Sequence, residues 1–200
     1  MNADLLTYIR KGITYTTFFS YHDQNIQIRP ITSLELNLAE DQADKIVTPQ
    51  LARLLTMVRC GKLNIMQKID EIVPPEMYHN IRKYYNELDF WITFFGMKDF
   101  LPDDFSIADV KKMQFIREIS QKIIDISSAT EESIDEIIKS NDGQQLAFIH
   151  YKLMVPLTDA AWKLTPLQTE FLSKSHPDIP KEVAKNWDDY LEKRKRGEAK

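Results

Sequence analysis

Glu76 and His79 stand one helical turn apart in a stretch with helical character, the Glu-x-x-His spacing by which helical bundles hold di-iron and di-manganese centres. Such a centre needs a second Glu-x-x-His unit and two more glutamates. The residue three places before His150 is Ala147, and His22 and His176 fall in loop-like segments. Glu76 and His79 therefore read as a polar pair on the first turn of a helix, and no metal is expected. Cys60 lies beside Arg59 and Lys62, cations that favour a thiolate, yet no signature marks a histidine as its base. As the single cysteine it forms neither an intramolecular disulfide nor a thiolate cluster. The G-x-S-x-G, H-E-x-x-H and Walker A patterns are absent, and five glycines in 200 residues leave little for a phosphate cradle. The expectation is a protein that is not an enzyme and needs no cofactor.

Thirty acidic and 26 basic side chains give a net charge of −4, the wrong sign for a general nucleic-acid binder, which needs a basic surplus to neutralise phosphates. No apolar run approaches the roughly 20 residues that cross a bilayer, and the start MNADLLTYIRKG lacks the pattern of a signal peptide. A cytoplasmic chain that does not enter a membrane is expected. Its 43% hydrophobic content supplies an ordinary packed core.

If not chemistry, then contact is what the apolar residues offer. In the run Phe90-Trp91-Ile92-Thr93-Phe94-Phe95, Phe90 and Phe94 lie one turn apart, on the side away from the stripe of Leu88, Trp91, Ile92 and Phe95. A helix apolar on two sides is central in its bundle or touches another protein. Residues 13–21 (ITYTTFFSY) are β-branched and aromatic, residues 26–29 alternate again, and Pro30 ends ladder pairing. Together they read as a β-hairpin, and a two-stranded ribbon offers its edges to another chain. Phe90, Phe94, Tyr15, Phe18, Phe19, Ile26 and Ile28 are thus the candidate partner-binding residues, with self-association through the hairpin among the contacts expected.

The remaining punctuation is helical. Thr32-Ser33-Leu34-Glu35 fits a capping box opening a helix to about Ile46, and Thr48-Pro49 opens another that ends near Cys60-Gly61. A long helix runs from near Pro75 to about Met97, with Met77, Ile81, Tyr84, Tyr85, Leu88, Trp91, Ile92 and Phe95 as its apolar stripe. Ser106, with Asp109 at N3, opens a helix carrying Met113, Ile116, Ile119, Ile123 and Ile126, and the stripe is expected to pack on that isoleucine face. Ser128 to Glu131 reads as a capping box for a helix that Asn141-Asp142-Gly143 closes. Gln144 to Met154 forms a further helix, Thr165-Pro166 caps the one after it, and Pro180 opens a last helix ending in the basic run Lys193-Arg194-Lys195-Arg196. The fold class is mainly α, an N-terminal β-hairpin followed by a multi-helix bundle. Its expected parts are an N-terminal segment with the hairpin (1–30), a helical body (31–174) and a C-terminal helix with a basic tail (175–200).

The hairpin, the phrase IRPITSLEL at 28–36 and the helices that follow resemble the tail assembly chaperones of long-tailed phages and related archaeal viruses, as do MKDFLPDDFS at 97–106 and WKLTPLQ at 162–168. The resemblance implies a short hairpin leading through an I-R-P-L-T type turn into a helical body. It also implies a non-catalytic role in the host cytoplasm. There the chaperone coats the helical tape measure protein, keeps it soluble and helps recruit tail tube subunits. The alternative in the same setting is a structural tail or head-tail adaptor component of the virion, in which the hairpin is a permanent contact.

Overall fold

The computed structural model describes residues 3–21, 24–49, 51–52, 78–154 and 163–175. It is mainly helical, with one two-stranded antiparallel hairpin near the N-terminus. The expected end of the second helix at Cys60-Gly61, the Pro75 start, Glu76, His22, His176 and everything from Pro180 onward lie outside the described residues.

A helix the sequence reading did not anticipate comes first. α1 (Ala3–Lys11) precedes the hairpin, with Asp4 in its first turn and Arg10 and Lys11 in its last, charges that suit the helix dipole. Leu5, Leu6 and Ile9 form its buried side. Gly12 stops it at φ 51, a left-handed conformation natural to glycine, and a Cβ there would run into the side-chain amide of Gln168. A 3₁₀ turn at Gly12–Thr14 takes the place of the first residues expected as strand. β1 (Thr17–Tyr21) and β2 (Gln24–Ile28) then pair antiparallel, with Thr17 opposite Ile28 and Phe19 opposite Ile26.

The IRPITS phrase makes the turn from hairpin to helix, and it is buried. Arg29 donates to the Pro30 carbonyl at 2.8 Å, the Ile31 N–H donates to Ser127 Oγ at 3.0 Å, and the Ser33 N–H donates to the Leu164 carbonyl at 2.8 Å. Polar backbone taken from water needs such partners, so the phrase specifies a joint in the fold.

The chain divides into two compact units: Glu35–Gln121, and Met1–Leu34 together with Lys122–Lys200. In the second of these, α1 buries its apolar side with the C-terminal half. α6 (Glu131–Lys139), α7 (Asn141–Met154) and α8 (Pro166–Ser175) supply Ile134, Ile137, Leu146, Leu167 and Phe171 to one cluster with Leu5, Leu6 and Ile9. At α8, Thr165 and Gln168 cap reciprocally: the Gln168 N–H donates to Thr165 Oγ1 and the Thr165 N–H to Gln168 Oε1, each at 3.2 Å. The amide's other end donates to the Ile9 carbonyl at 2.9 Å, satisfying the last turn of α1.

Two expected caps move. Thr130, not Ser128, caps α6, accepting from the Ser133 N–H at 3.3 Å, while the Ser128 hydroxyl turns back to the Ile124 carbonyl. Gly143 does not close α6 either. Ser140 ends that helix and caps α7, accepting from the Gly143 N–H at 3.0 Å, which puts the glycine inside the new first turn. A side chain there would collide with the Ile137 carbonyl.

In the other unit, α2 (Ser33–Asp44) leads to the Thr48 cap, where the hydroxyl accepts from the Leu51 N–H at 3.4 Å. Glu35 forms an ion pair with Lys98 at 2.7 Å. α3 (Tyr78–Met97) packs Tyr84 with Ala43 and Leu51, joined by Val47, Ile81 and Leu88. Tyr85, expected inside, is exposed. The single helix expected after Ser106 is two. The capping box is present and opens α4 (Ile107–Val110), but Phe115 at φ 60 breaks the chain before α5 (Ile116–Ser127). Residues joining α3 to the start of α5 are polar: Ser120 donates to Asp89 at 2.7 Å and Thr93 to the Ile116 carbonyl at 3.4 Å.

Candidate interaction surface

Alternation in β1 and β2 divides the hairpin residues between two faces. Thr17, Phe19, Ile26 and Ile28 share one, while Phe18, Ser20, Asn25 and Gln27 share the other. Ile28 is fully buried and therefore a core residue, and Phe19 and Ile26 are half-buried. Phe18, opposite Gln27, is 59% exposed, more than any other large apolar side chain among the described residues. Burying such a ring stabilises by about 1.5–3 kcal/mol relative to leaving it in water, and nothing in its own strand pair provides that burial. Ser20 and Asn25 beside it are tied hydroxyl to amide at 2.6 Å. Residues 12–21 and 24–28 contain no charge, so an approaching apolar surface strips water from no ion.

Tyr15 marks the base of the hairpin, half-buried with its ring edgewise on Tyr8 at 4.8 Å and Lys11 5.9 Å from its centre. Tyr8, which the sequence reading did not single out, has its phenol pushed up to about 12, first by burial, then by Tyr15, Asp4 and Asp125. It stays a neutral hydrogen-bonding group at any ordinary pH. The signal for it was the three-to-four spacing of Leu5, Tyr8 and Ile9 ahead of Lys11-Gly12.

Phe90 and Phe94 lie on α3, in the other unit, and both are half-buried. Phe94 meets Trp91 at 5.8 Å and Phe95 at 5.7 Å, both edgewise, so it belongs to one aromatic cluster with the stripe and not to a separate opposite face. Lys111 sits 5.4 Å from the Phe90 ring centre while pairing with Glu87 at 2.8 Å, and Glu87 also accepts from the Trp91 indole at 3.1 Å. Phe90 and Phe94 are thus each flanked by side chains of their own unit, whereas Phe18 has 59% of its surface exposed.

Acid–base groups form no reactive constellation among the described residues. Asp89 is raised above its ordinary 3.8 by burial, partly offset by the Ser120 hydroxyl and Arg117, and Asp109 is lowered by the Ser106 hydroxyl and Lys112 within its capping box. His79 is exposed at the start of α3, and no group of three or more His, Cys, Asp or Glu side chains could hold a metal there. No helix among the described residues is long and apolar enough to cross a membrane.

Compared with protein-family models, curated proteins and solved structures, the chain matches none.

Proposed function

We propose that this protein is a non-catalytic assembly factor that binds an apolar surface of another protein through its hairpin, and more specifically a tail assembly chaperone for a tape measure protein that also helps recruit tail tube subunits. The observation that carries the contact role is Phe18, exposed on an uncharged hairpin. The specific role rests on the resemblance of residues 28–36, 97–106 and 162–168 to that family. The first of these phrases forms the buried joint that follows the hairpin, so it bears on the fold, and a client contact is supported by the exposed Phe18 instead. A long helical client exposes apolar stripes, and a holder with reversible apolar contact and a net charge of −4 keeps the complex in solution.

The test is co-expression with the proteins encoded next to it, a tape measure protein being the expected client. A tagged wild-type chain is expected to retain that protein through purification and to be missing from finished virions. Failure to retain it removes the chaperone reading, and stoichiometric presence in virions replaces it with the structural alternative.

A further inference from the structure

The Ser20 hydroxyl reaches Asn25 at 2.6 Å, the close side-chain approach of an antiparallel pair not bonded through its main chain. By alternation the main-chain bonds join Thr17 to Ile28, Phe19 to Ile26 and Tyr21 to Gln24. The N–H and C=O groups of Phe18 and Ser20 therefore point away from β2, along an edge where no other described strand lies. Such edges are normally guarded by lysine, proline or a bulge. β1 has none of these: it is uncharged, its register is unbroken, and exposed Thr14 and Thr16 lead into it. β2 differs, since it runs directly into buried Arg29 and Pro30.

We propose that β1 pairs antiparallel with β1 of a second copy, joining two hairpins into one four-stranded sheet. The outward groups fix the register. Phe18 lies opposite Ser20 of the second copy, Ser20 opposite the second copy's Phe18, and the two-fold axis passes at Phe19. Each bonded pair exchanges both of its N–H···O bonds. In this register the bulky ring falls beside the small hydroxyl residue and the two Phe18 rings become diagonal neighbours on one face. Although each chain carries −4, the register brings no charged side chains of these strands together. Five residues of strand cover less than the about 800 Å² per partner of a stable interface, so the pairing is reversible and grows with concentration. It requires no client, and its failure would leave client binding untouched.

Sedimentation equilibrium of the full chain from about 5 to about 500 µM tests it. The mean mass is expected to rise from 23.5 kDa toward twice that value. Ser20→Pro, which removes an outward N–H at a position an edge strand tolerates, is expected to weaken self-association at least about ten-fold with an unchanged circular-dichroism spectrum. In a Cys60→Ser background, Phe19→Cys places two thiols across the axis at a Cα separation of about 4.5 Å, within disulfide reach, whereas Thr17→Cys leaves them about 14 Å apart. Mild oxidation should link the first and spare the second. A chain monomeric throughout overturns the proposal, as does a dimer that a folded Ser20→Pro leaves equally strong, or one linked as readily through Thr17→Cys. If Ser20→Pro disturbs the fold, the two cysteine variants decide.

Discussion

Tyr84 is 1% exposed and closes a cluster with Ala43 and Leu51, whereas Trp91 stays half-buried with its indole held by Glu87. The larger ring is therefore not the larger anchor. Tyr84→Ala is expected to cost about 3–5 kcal/mol, the range for a large buried aromatic, and Trp91→Ala about 1–3 kcal/mol, with thermal melts showing the order. Asp89 makes a pH-dependent prediction. Its folded-state pKa is raised, so the fold binds a proton that the unfolded chain releases, and stability falls as pH rises from 3.8 through the folded value. At neutral pH a half-buried carboxylate is held at a cost. Asp89→Asn, which can still accept from Ser120, is expected to melt higher than wild type at pH 7, with the gain vanishing near pH 3. A gain that persists undiminished at low pH would contradict the burial account.

Among the elements, α8 shows how one residue holds two helices. Gln168 completes the cap of α8 and satisfies the end of α1, so Gln168→Ala removes both roles and leaves the Ile9 carbonyl buried without this donor. A loss of about 2–3 kcal/mol is expected in denaturant unfolding, where a lone exposed cap would cost about 1. Caps were the most legible signals in the sequence: Thr48, Ser106 and Thr165 each act where their spacing placed them. The hairpin and the long α3 were legible from periods of two and of three to four. What escaped depended on contacts distant in sequence or on backbone dihedrals. α1 has only nine residues and gains its burial from α8. The break at Phe115 is a single positive φ with no glycine to announce it, and Gly143 serves close packing against Ile137 where its neighbours suggested a stop. Of the candidate site, the hairpin's outer face was readable from alternation. The burial of Ile28 and the covering of Phe90 by Lys111 were not, since both depend on neighbours that sequence spacing does not reveal.

Across the whole molecule, the hairpin's outer face sets the exposed Phe18 among the uncharged Ser20, Asn25 and Gln27, while the net charge of −4 is carried elsewhere on the chain. That division suits a protein which covers another protein's apolar surface without itself precipitating. The measurement that tests this most directly is the fraction of tape measure protein left in the supernatant on co-expression with wild type or with Phe18→Ser. A 59% exposed ring can be replaced without opening a cavity, so Phe18→Ser is expected to melt within about 0.5 kcal/mol of wild type. Wild type is expected to keep the client soluble, and Phe18→Ser to lose most of that effect while remaining folded and soluble itself. Equal client solubility with both chains, or a client that precipitates as readily with wild type as alone, would contradict it.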